Sequence, residues 1–140
     1  MSHLTIPVTS EDHSQGNLDA RCTLVEYGDF QCSYCGQAYP IVKQLQKHFG
    51  NDLRFVFRRF SLSEIHPDAE HASEAAEFAS EGGKFWEMHD LLYQNQEDLS
   101  DDALVSLVGQ LHFPREELRE ALQAGIFRPY VQASLHGIRL

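Results

Sequence analysis

Cys32-Ser33-Tyr34-Cys35 sets two thiols three residues apart, a spacing that two chemistries use. One is thiol–disulfide exchange, in which a thiolate attacks a disulfide and a second thiol resolves the mixed disulfide that forms. The other is half of a zinc site, which needs a second Cys-x-x-Cys or a Cys/His pair at ligand spacing. The nearest candidates for that second half, His66 and His71, stand at the start of a helical stretch with no ligand motif around them, and read as surface or capping histidines. Cys22 stands by itself and reads as a small buried hydrophobe on a strand. Three cysteines are too few, and too odd a number, for a disulfide-stapled scaffold, so the pair is read for its reactivity.

Reactivity depends on the elements that hold the thiols. The run Cys22-Thr23-Leu24-Val25-Glu26-Tyr27, closed by Gly28-Asp29, predicts a buried strand. From Ser33 to about Phe49 the apolar positions Ile41, Leu45 and Phe49 recur every four residues, which predicts a helix ended by Gly50-Asn51. Cys32 then stands at a helix start, where unpaired N–H groups and the helix dipole favour an anion and lower the thiol pKa from its free value of about 8.5. Cys35, one turn further in, is less exposed and suits the resolving step. Glu26 lies on the same strand among apolar neighbours. A buried carboxylate needs a task or a partner. It is either a proton acceptor for the inner thiol or a sheet-edge group paired with Arg58 or Arg59. Pro40 falls inside the helix and is expected to kink it.

Leu53 to Phe60 predicts a second strand, giving a β-α-β unit whose strands run parallel with a right-handed crossover. Leu4 to Val8 is a weaker strand candidate. From His66 onward every signal is helical. Pro67 opens an Ala-rich helix that Gly82-Gly83 ends, and Lys84 to Gln96 forms the next. Ser100 caps a helix with the stripe Leu104, Leu107, Val108 and Leu111, Pro114 opens another closed by Gly125, and Pro129 begins a short last one. Phe85, Trp86 and Met88 have helical spacing and read as core.

A chain of 140 residues suits one domain with a real core. Its net charge of −10 repels nucleic acid and anionic membrane surfaces. No apolar stretch is long enough for a transmembrane helix, and the first residues lack the pattern of a signal peptide, so the expected address is cytoplasmic.

Three stretches carry a family resemblance: Thr23 through Cys35, Arg58-Arg59-Phe60-Ser61-Leu62 with His66-Pro67, and Gly83-Lys84-Phe85-Trp86-Glu87-Met88-His89-Asp90-Leu91-Leu92. On these the chain resembles DsbA-like thioredoxin-fold oxidoreductases of the cytoplasmic bacterial type. The resemblance implies Cys32 as attacking thiol, Cys35 as resolving thiol, Ser33 and Tyr34 as the dipeptide that tunes redox potential, and Glu26 as the buried acid. It implies no cofactor, and protein or small-molecule thiols and disulfides as partners. Ser33 stands where many relatives have proline, so the potential does not carry over. Such proteins also continue into a Thr-Pro loop with a cis-proline, two strands and a helix, whereas this sequence stops at Leu140. The expected fold is therefore an α/β thioredoxin-like β-α-β unit with a helical insertion over about residues 63–140, lacking the C-terminal β-β-α portion. Unpaired strand edges in such a unit predict a homodimer or domain swap. Two rival functions remain beside exchange: a non-catalytic strand-pairing module, and a metal-binding protein using the cysteine pair.

Overall fold

The computed structural model describes residues 6–60 and 65–136, with side chains in the last helix described as far as Gln132. Three strands, β1 (His13–Gly16), β2 (Cys22–Gly28) and β3 (Leu53–Arg59), form one sheet in the order β1-β3-β2. β2 and β3 run parallel, with Val25 opposite Val56 and Glu26 opposite Phe57. Helix α1 (Ser33–Phe49) makes the crossover, followed by a 3-10 turn at Gly50–Asp52. This is the predicted β-α-β unit. Helix α1 runs on through Pro40.

The N-terminal strand differs from expectation. Ile6 to Val8 is not strand, and Leu4 and Thr5 lie outside the described residues. The strand is instead His13-Ser14-Gln15-Gly16, antiparallel to β3. It has no apolar alternation; tertiary contacts hold it. The Trp86 indole N–H donates to the Ser14 carbonyl at 3.1 Å, and the His13 ring stacks on Phe85 at 3.6 Å between centroids. Gly16 ends it at φ +91°, where an added Cβ would lie 2.6 Å from the Leu53 carbonyl oxygen, so a side chain is excluded there.

Five further helices follow: α2 (Ala69–Glu81), α3 (Phe85–Gln94), α4 (Asp101–Gln110), α5 (Arg115–Ala124) and α6 (Arg128–His136). Helix α2 begins after Pro67, which sits in the preceding turn where Ala69 N–H donates to the His66 carbonyl. Its alanines at 69, 72, 75, 76 and 79 are all buried and let α3, α4 and α5 approach closely. Ser100 caps α4 by accepting from the Ala103 N–H, and Gly125 closes α5 in the left-handed region at φ +65°. The core runs from the sheet into this helical layer. Phe55 and Phe57 of β3 meet Phe30, Phe85, Trp86, His89 and Tyr93, while Leu104, Leu107, Val108, Leu118 and Leu122 close the far side. Phe85 and Met88 are core, as expected.

Among the described residues β2 is an edge strand, which explains a second difference. Cys22, expected to be buried, is exposed at its first position.

Candidate active site

The buried end of β2 delivers the chain into the dithiol turn. Cys32 is the N-cap residue of α1, with extended φ and ψ, and Ser33 is the first helical residue. The Cys32 N–H donates to the Asp29 carbonyl at 3.1 Å, and its own carbonyl accepts from the Gly36 N–H at 3.0 Å, so the turn is closed on both sides. Cys32 and Cys35 are half-buried free thiols, whereas Ser33 is exposed and Tyr34 is 79% exposed. The first-turn N–H groups of α1 surround the position of Cys32, an environment that favours negative charge.

Cys35 lies deeper in character. Burial pushes its thiol up to about 11, the charges of Cys32 and Glu26 push in the same direction, and a hydrogen bond from the Asp29 backbone opposes them. Glu26 faces the helix-covered side of the sheet beside Phe57, and burial raises its carboxyl above the usual range. The two arginines that could have paired with it are engaged elsewhere. Arg58 makes a two-point contact with Asp12, at 2.9 and 3.0 Å, and also donates to the Tyr27 hydroxyl. Arg59 pairs with Glu77.

Several residues that build the site carry no local sequence signal. Asp29, only 3% exposed, accepts from the Gln31 N–H at 2.7 Å and pairs with His66 Nδ1 at 2.9 Å. Gln31 in turn accepts from the Asp68 N–H at 3.0 Å. The start of the helical insertion is thereby tied to the residues just before Cys32. On the other side, Gln96 Nε2 donates to the carbonyls of both Phe30 and Cys32 at 2.8 Å. An added Cβ on Gly36 would fall 2.0 Å from Gln96 Oε1, so a side chain there would displace the Gln96 amide. His66, read from sequence as a surface or capping residue, belongs to this cluster through Asp29. His71 does not: its partner is Asp101, at 2.6 Å. Among the described residues no group of three or more His, Cys, Asp or Glu is arranged to hold a metal ion.

Tyr93, on α3, completes the floor. It is within electrostatic reach of Glu26, Asp29, Cys32 and Cys35, and its ring packs with Phe30, Tyr39, Phe57 and His89.

A strand leading into a two-cysteine helix start, a parallel partner strand and helices inserted after it define a thioredoxin-type α/β domain with a helical insertion. A sequence model described as thioredoxin matches residues 8–139, and the chain belongs to that family. Solved structures agree in fold. BdbD from Bacillus subtilis superposes with a TM-score of 0.77 at 25% identity, covering 88% of this chain and 71% of BdbD. A thioredoxin-like oxidoreductase from Silicibacter pomeroyi DSS-3 gives 0.75 at 24% identity, covering 91% of this chain and 70% of that one. Among curated proteins, Na(+)/H(+) antiporter NhaA 1 of Salinispora arenicola is 45% identical over 120 residues, which is 85% of this chain and 18% of the antiporter. The chain thus spans under a fifth of the length of such relatives.

Proposed function

We propose that this domain is a thiol–disulfide oxidoreductase that exchanges a Cys32–Cys35 dithiol or disulfide with protein or small-molecule thiols. The observation that carries the reading is the asymmetry of the pair: Cys32 at the helix N-cap, Cys35 inward with a raised thiol within electrostatic reach of the half-buried acid Glu26. Cys32 attacks a substrate disulfide and forms a mixed disulfide, releasing one substrate thiolate. Glu26 takes the proton of Cys35, whose thiolate then attacks Cys32 Sγ. The Cys32–Cys35 bond forms, the bond to substrate breaks, and the second substrate thiolate leaves and is protonated. The substrate gains two electrons and the cysteine pair loses them. Run backwards, the same steps oxidise a dithiol, and the surrounding redox poise sets the direction. Ser33 and Tyr34 line the exposed rim and tune the potential, with Tyr34 offering a ring to an incoming chain.

The test is a pair of variants with a model disulfide. Cys32→Ser is expected to abolish exchange, and Cys35→Ser to accumulate the mixed disulfide. Equal partial loss in both variants would defeat the reading.

The curated relatives favour a more specific partner class. Matching segments form a minor part of proteins named as Na(+)/H(+) antiporters, so we propose that a membrane transporter is one polypeptide on which the dithiol acts. Mass spectrometry of mixed disulfides trapped by Cys35→Ser in cells is expected to find a transporter cysteine. Trapped species confined to soluble proteins would sink this part. Among the described residues β2 is an edge strand, which also supports pairing with a second copy of the chain.

A further inference from the structure

Tyr93 poses a question that packing does not answer. Its residue is 7% exposed, and its hydroxyl is buried with no hydrogen-bond partner among the described residues. A buried hydroxyl without a partner is unfavourable, and phenylalanine would fill the same aromatic nest without it. The ring is held on several sides, with centroids 5.2 Å from Phe30, 5.6 Å from Tyr39 and 5.1 Å from His89. The ring is therefore fixed, and its hydroxyl oxygen lies over the strand that leads into the dithiol turn. A Cβ built on Gly28, between Glu26 and the turn, would lie 2.9 Å from Tyr93 Oη, so the oxygen rests on the backbone of β2.

The titratable groups within its electrostatic reach are Glu26 from β2, Asp29 from the turn, Cys32 at the N-cap and Cys35 in α1, and its ring packs on Tyr39 of α1 and His89 of its own helix. Five of these are anionic when ionised, and Glu26 and Cys35 are the two that exchange a proton in the resolving step above. Burial, then the charges of Glu26, Cys35, Asp29 and Cys32, hold the phenol in its protonated, donating form. The neighbouring His89 is kept from protonating, chiefly by burial, so it supplies no competing positive charge.

Building on the exchange reading, we propose that Tyr93 is a positioning residue for resolution, its hydroxyl donating to whichever of Glu26 and Cys35 carries the negative charge. In the structure neither side chain is hydrogen-bonded to the hydroxyl; the Glu26 carboxylate, once ionised, swings to accept from it before the step. The Cys35 proton moves to Glu26, and the hydroxyl turns to the new Cys35 thiolate, keeping its own proton throughout. The thiolate then attacks Cys32 Sγ, with bonds and electrons exchanged as written above. The anion is met by a donor at both ends of the transfer, in a half-buried site where such a hydrogen bond is stronger than in water.

Tyr93→Phe removes the hydroxyl and keeps the ring. In a Cys22→Ser, Cys32→Ser background, the pH midpoint for alkylation of Cys35 is expected to rise by about one unit, because the thiolate loses a charge-assisted hydrogen bond. With the pair intact, resolution of a mixed disulfide at neutral pH is expected to slow ~tenfold. Thermal stability should be unchanged or higher. An unmoved midpoint and unmoved rate in a folded variant would overturn the proposal. The alkylation midpoint does not depend on turnover, so exchange that survives Cys32→Ser would remove the functional reading while leaving the Tyr93 result legible. Should Tyr93→Phe fail to fold, the Tyr93 Cζ carbon-13 shift in the unsubstituted protein decides: a shift that follows the Cys35 titration supports the role, and a flat one ends it.

Discussion

Gln96 Nε2 donates to the Cys32 carbonyl at 2.8 Å, although the two residues are separated by the whole of α1, β3, α2 and α3. The same nitrogen reaches the Phe30 carbonyl, so one amide spans the residues from which the dithiol helix springs. Gln96→Ala is expected to remove the amide donor from the Phe30 carbonyl and leave the Cys32 carbonyl with the Gly36 N–H alone, at a cost of about 1–3 kcal/mol by urea denaturation. Exchange should slow with it. A variant with unchanged stability and unchanged rate would show that the turn holds itself.

Glu26 gives a pH prediction whose sign follows from its raised carboxyl. The folded state favours the protonated acid, so stability is fullest below the ordinary value of 4.5 and is lost as pH rises through the folded value. Glu26→Gln is therefore expected to be more stable than the parent at neutral pH and equal to it below pH 4.5, while resolving mixed disulfides more slowly. Urea midpoints at both pH values, with single-turnover rates, check the two halves. A variant less stable at neutral pH would mean that the carboxylate has a favourable partner.

Cys35 acts in an alkaline window. Its thiol is raised from 9.0 to about 11, so the unfolded chain ionises first and the reduced protein should lose stability as pH climbs through that range. Replacing Cys35 by serine should flatten this part of the stability curve, measured on reduced samples. An equally steep fall in the variant would assign the loss to other groups.

Strand pairing is tested at the β2 edge. The reduced protein is expected to sediment as a dimer at high concentration, and Thr23→Lys, which sets a charge on the exposed part of that strand, should shift it toward monomer. A parent protein that sediments as a sharp monomer at all concentrations would contradict the pairing.

The legible parts of this fold are those with local cause. Leu24 and Val25, and Phe55 through Phe57, announce two strands by composition, and Ile41 with Leu45 announces the helix between them. β1 was hidden because His13-Ser14-Gln15-Gly16 owes its extended form to β3, Trp86 and Phe85 rather than to its own side chains. The cysteine spacing pointed to Cys32 and Cys35, and the strand ahead of them to Glu26. Asp29 with His66, and Gln96 with Cys32, are joined only by tertiary folding, so no periodicity could reveal them. Tyr93 has the opposite fault. It sits beside Leu92 at ordinary core spacing, and only the buried position of its hydroxyl marks it out.

The grip on the dithiol turn comes from two short places in the insertion, His66 to Asp68 at its start and Gln96 after α3. Helices α4 and α5 pack mainly on each other and on α2. This divides the insertion into a clamp and a handle with separate tolerances to change. Surface residues of α4 and α5 can be rewritten, or recruited to new contacts, without touching the chemistry. A single substitution in either jaw of the clamp acts on the residues of the dithiol turn itself, Asp29, Phe30, Gln31 and Cys32.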